Sequence, residues 1–97
     1  MNLAKDIASE ESSLIGCLQR AMRHYGWTYD GHNRTWHNLN VDHYICDSVF
    51  ELHNVTKDVV DYLSTLPGMM EATKLALEAW EEVPTFIKLA NHMAGRQ

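Results

Sequence analysis

The sequence predicts a small, mainly α protein of one helical domain, residues 1–97, with a short β-hairpin or ordered loop near residues 27–37. Three observations lead there. Apolar residues recur at helical spacing on both sides of residue 40. Ninety-seven residues suffice for one modest core, burying roughly 60–65% of the unfolded surface. The segment from His24 to His43 departs from that helical pattern. It holds four of the six histidines, two of the three tryptophans, two of the five glycines and three asparagines.

The first helix is expected near residues 10–25. Leu14, Ile15, Leu18, Met22 and Tyr25 fall on one face, which Leu3 and Ile7 extend weakly. Ser9 or Ser12 can cap its start. Arg20, Arg23 and His24 complement its C-terminal dipole, and Gly26 ends it. Trp27-Thr28-Tyr29 and Thr35-Trp36 are β-formers around the turn signal Asp30-Gly31, so a hairpin is the natural reading and an ordered loop its alternative.

Helix is expected again over residues 41–53, capped by Asn40. Val41, Tyr44, Ile45, Val49 and Leu52 are spaced 0, 3, 4, 8 and 11. A further helix over 56–65 carries Val59, Val60 and Leu63, and Leu66-Pro67-Gly68 stops it: proline cannot continue the helix and glycine suits a positive φ. Helices over 69–82 and 84–94 complete the chain, the first with Met70, Thr73, Leu77 and Trp80 on one face, the second opened by Pro84. The expected core includes Leu14, Leu18, Met22, Ile45, Val49, Leu77 and Trp80.

Charge and composition narrow the function. Residues 1–40 carry four acids and four bases, whereas residues 41–97 carry nine acids and four bases and hold the entire net charge of −5. General nucleic-acid binding needs a strong positive field, which this balance opposes. A dipolar surface of this kind suits steering toward one protein partner. No basic and apolar leader and no long apolar run is found, so neither a signal peptide nor a membrane span is expected. Cys17 and Cys46 are then expected as two buried thiols in a reducing compartment.

The chemistry-bearing groups give no catalytic signature. His32, His37, His43 and Cys46 offer imidazole and thiol, but their spacing matches no compact zinc pattern. Gly31-His32-Asn33 and His37-Asn38, with Asp42 and His43, have the composition of a ββα-metal nuclease without its positive channel. Cys46 beside His43 would need a lowered thiol pKa and an oxyanion hole to act as a nucleophile. The expectation is therefore a non-enzyme with no cofactor and no metal site. The candidate partner-binding residues are Trp27, Tyr29, Arg34, Trp36, Met69 and Met70, because tryptophan, tyrosine and arginine dominate interfaces and methionine adapts to them. Leu66, Pro67 and Gly68 form an exposed X-Pro turn, a candidate contact for a prolyl isomerase.

The length, the start Met1-Asn2-Leu3-Ala4-Lys5, the mostly helical pattern and the loop Leu66-Pro67-Gly68-Met69 give the chain a resemblance. It resembles the small anti-RecBCD accessory proteins of lambdoid Salmonella phages. That resemblance implies a phage-encoded, non-enzymatic protein of the bacterial host cytoplasm that binds host RecBCD through its RecC subunit. The effect implied is a changed exonuclease and recombination activity in favour of the phage. A small metal-binding or nucleic-acid-binding regulator built on residues 24–43 is the alternative.

Overall fold

The computed structural model describes residues 2–52 and 56–88, the side chains of residues 51 and 52 excepted. In chain order these residues form α1 (Leu3–Glu10), α2 (Leu14–His24), β1 (Trp27–Asp30), β2 (Thr35–Asn38), β3 (His43–Cys46), α3 (Ser48–Leu52), α4 (Lys57–Leu63) and α5 (Met70–Glu82). Residues 85–88 are helical after Pro84, and the rest of the helix expected over 84–94 lies outside the described residues.

The fold class is α+β rather than mainly α. The expected hairpin is present, but a third strand extends it into an antiparallel sheet ordered β1-β2-β3. The helix expected over 41–53 is overturned over most of its length: residues 43–46 are strand, and only Ser48–Leu52 is helical. Tyr44 and Ile45 are β-formers, and Ile45 pairs with Trp36 while Tyr44 pairs with His37. Asp42, at φ 49°, turns the chain back into that pairing where a helix would have run on.

The helix expected near residues 10–25 is α2, which starts at Leu14 and is capped by Ser13 rather than Ser9 or Ser12; the segment of Leu3 and Ile7 forms a separate helix, α1. Asn2 caps α1 by accepting from the Lys5 N–H at 3.1 Å, and Ser13 caps α2 by accepting from the Gly16 N–H at 3.0 Å. Arg20 ties the pair together through Glu10 and Glu11. Gly26, at φ 93°, ends α2 and turns the chain into β1.

α5 packs on α1 and α2. Its buried face is Ala72, Thr73, Leu75, Ala76 and Ala79, turned from the expected face of Met70, Thr73, Leu77 and Trp80. Alanines at i, i+4 and i+7 let the helices approach closely, so small residues rather than large ones mark the contact. Leu14, Leu18, Met22 and Ile45 are core as expected; Val49, Leu77 and Trp80 are half-buried against it. The inner face of the sheet adds Trp27, Trp36 and Ile45, and Phe50, Val60, Leu63 and Met69 close the core.

Candidate protein-binding surface

One end of the sheet is built around Trp27. Its ring is buried and its Nε1–H donates to the Gly68 carbonyl at 3.0 Å, across forty-one positions of sequence. That bond holds the 66–69 turn against the sheet. Asn38, also buried, secures the same end: its Nδ2 donates to the Tyr25 carbonyl at 3.2 Å and its Oδ1 accepts from the Asn40 N–H at 2.9 Å. A buried amide satisfied on both sides is a structural fixture. Gly68 sits at φ 78°, and a Cβ there would meet Val41, Asn38 and Trp27 at 2.9–3.3 Å. Only glycine lets the turn approach this closely.

Between the turn and the sheet lies an open groove of about 420 Å³, lined by Tyr25, Asn38, Asn40, Val41, Gly68, Met70 and Glu71. Its apolar rim is exposed, Val41 by 43% and Met70 by 72%, and Leu39 on the β2–β3 turn is 79% exposed. Two large apolar side chains, Val41 and Met70, thus stand in water on the rim of a groove walled by Asn38 and by Gly68, which Trp27 holds in place. Among the described residues the other exposed large hydrophobics are Tyr29, Leu39, Tyr44, Tyr62 and Phe86, none of which lines the groove.

The opposite end of the sheet carries a second cluster. Trp36 is buried beneath Tyr29, whose ring centroid lies 5.1 Å away, and beneath the Arg23 guanidinium, 5.3 Å from the ring centroid. Phe50 meets it edge-on at 6.5 Å. Its Nε1–H is buried with no hydrogen-bond acceptor among the described residues. Tyr29 donates its hydroxyl to Asp47 at 3.0 Å; desolvation first, and then the Asp47 carboxylate, raise the phenol pKa. Arg34 is exposed at φ 56° in the β1–β2 turn. In the same turn Asp30 accepts from the N–H groups of His32 and Asn33 and from the Asn33 amide; the bonds from Asn33 chiefly lower its carboxyl pKa.

The candidate residues therefore do not form one patch. Gly68 and Met70 line the groove, and Trp27 lies beneath its Gly68 wall. Tyr29, Arg34 and Trp36 gather at the far end, and Pro67 is exposed with a trans Leu66–Pro67 bond. Trp27, Trp36 and Met69, expected as partner contacts, are buried and support the surface from within. Their apolar area is what the small core needed, and the sheet's inner face took it. Tyr25, Asn38, Asn40, Val41 and Glu71 also line the groove and are not among the residues the sequence singles out for partner binding.

The metal and nuclease constellations do not assemble. His43 opens a strand, so no helix presents it beside His32 or His37, and no group of three metal-ligating side chains is found among the described residues. His37 stacks on Tyr44 at 3.9 Å with its Nε2 3.5 Å from Asp42. Cys17 is buried as expected, with its thiol raised to about 11 by desolvation and then by Glu11. Cys46 is exposed, against expectation, because the strand turns it to the outer face; its hydrogen bond with the Ser48 hydroxyl, at 3.0 Å, is the main cause of a lowered thiol pKa. No helix among the described residues is long and apolar enough to cross a membrane.

This fold and groove define a class only: a small α+β protein with an open groove bordered by exposed apolar side chains. No protein-family model, curated protein or solved structure matches the chain.

Proposed function

We propose that this chain is a phage-encoded, non-enzymatic protein that binds the host RecBCD helicase–nuclease in the bacterial cytoplasm, through RecC, and alters its exonuclease and recombination activity. The carrying observation is the exposed apolar rim of Val41 and Met70 on a groove walled by Asn38 and the Trp27-held Gly68. Such a rim suits a protein surface, and interface cores favour apolar side chains over charge. The sequence resemblance supplies the identity of the partner. The acidic C-terminal half favours a protein partner over a nucleic-acid backbone. Pro67, exposed on its turn, offers a contact for a host prolyl isomerase.

Capture from host lysate, combined with metal analysis of the purified protein, tests this reading. Stoichiometric recovery of the three RecBCD subunits on wild-type protein without bound metal supports it. A metal-loaded protein that captures no RecBCD contradicts it and favours the regulator built on residues 24–43.

A further inference from the structure

β3 is an outer strand: among the described residues it pairs only with β2. The Asp47 N–H donates to the Arg34 carbonyl at 2.9 Å, which sets the phase of that pairing. Antiparallel residue pairs alternate between bonded and non-bonded. Trp36 with Ile45, and Asn38 with His43, are therefore the bonded pairs of this ladder. The N–H and C=O groups of Tyr44 and Cys46 then point away from the sheet, at its edge. Their side chains lie on the outer face, both exposed, Tyr44 by 59%. The other edge differs, since β1 packs against α2 and its Trp27 is buried.

An open strand edge is a template for another strand. We propose that β3 pairs with β3 of a second copy of this chain, antiparallel about a two-fold axis at Ile45, joining two three-stranded sheets into one of six strands. The outward-facing residues fix this register. With the axis at Ile45, Tyr44 faces Cys46 of the second copy, and the reverse pair repeats it. All four outward N–H and C=O groups of each copy are satisfied. A shift of two residues one way sets Asp42, at φ 49°, into the ladder; the other way it sets Ser48, the first residue of α3. Neither is extended strand. The flanks also match in hydrogen-bonding character, because the His43 imidazole faces the Asp47 carboxylate of the second copy, twice by symmetry. Ile45 meets its own mate on the core-facing side and continues the buried surface of both sheets. Four residues make a short seam, so the dimer forms at high concentration and separates on dilution.

Sedimentation equilibrium of the full chain, from about 10 μM to about 1 mM, should show the mean mass rising from the 11.2 kDa monomer toward twice that value. Cys46→Pro removes an outward N–H that β2 does not use, a position where an edge strand tolerates proline, and should weaken association at least tenfold. Cross-linking tests the register independently of that variant's folding. Directly opposed residues of a bonded pair sit about 5.5 Å apart at Cα, within disulfide reach, whereas diagonal ones sit about 7–8 Å apart, beyond it. Tyr44→Cys should therefore give covalent dimers under mild oxidation, through Cys46 of the second copy. Wild type, and Tyr44→Cys combined with Cys46→Ser, should not. A mass of 11.2 kDa throughout the range, or equal cross-linking in all three proteins, overturns the proposal.

Discussion

Replacing Gly68 by Ala should destabilise the protein by about 2–3 kcal/mol, because two costs fall on one position. Gly68 sits at φ 78°, and an L-residue in left-handed backbone costs about 1–2 kcal/mol. The new Cβ would also approach Val41 Cγ2 to 2.9 Å, and Asn38 Nδ2 and Trp27 Cζ2 to 3.3 Å. Overpacking costs about 1–3 kcal/mol, and the low end applies because Val41 stands on an exposed turn and can yield while the Trp27 ring cannot. Gly31→Ala is the control: its Cβ meets only Tyr29 Cε2 at 3.7 Å, and its φ is not positive. That change should stay within about 0.5 kcal/mol of wild type. Urea unfolding followed by circular dichroism, with a slope of about 1–3 kcal/mol/M, separates the two as a midpoint shift of roughly 1–2 M. If Gly68→Ala and Gly31→Ala unfold together, the 66–69 turn is not clamped on the sheet and the groove has no fixed wall.

Leu18, with no exposed surface, should lose about 2–4 kcal/mol on truncation to Ala, read by the same titration. The thiol of Cys17 ionises near its ordinary value of 9.0 in the unfolded chain but near 11 when folded. The folded chain thus holds the proton more tightly, and stability should be full below pH 9 and fall between pH 9 and 11. Cys17→Ala should remove that component of the alkaline loss; an unchanged slope across the window would show that the thiol is not desolvated. Pro67→Ala should abolish capture of a host prolyl isomerase while leaving the helical circular dichroism intact, and undiminished capture would move that contact off the turn.

The helices were legible where periodicity and caps agree. Thr56 and Ser64 bracket α4, and α5 begins just past Gly68. The third strand was not legible because Val41, Tyr44, Ile45, Val49 and Leu52 happen to fall at helical spacing. What decides their conformation is non-local pairing with β2, which no local window contains. Asp42 at positive φ breaks the apparent period, yet aspartate carries no strong signal for it. On α5 the large residues Met70, Leu77 and Trp80 outweighed Ala72, Ala76 and Ala79 in any hydropathy count, although close helix packing selects the small ones.

The groove was half visible for a related reason. Gly68 and Met70 were candidates from their own chemistry. Their meeting with Val41 and Asn38 depends on the Trp27 bond to Gly68, which spans forty-one positions. Trp27 and Trp36 were attractive as interface residues, but a chain of this length has little else large enough to fill the space beneath a sheet. Burial claimed them first.

Titration calorimetry of the purified full chain against purified RecBCD tests the central claim most directly. Wild-type protein should bind at one site per RecC. The double variant Val41→Asp with Met70→Glu, confirmed as folded, should bind more weakly by about 1–3 kcal/mol for each anchor that the groove rim provides. No heat of binding with the wild-type protein, or equal affinity for the double variant, would contradict the account.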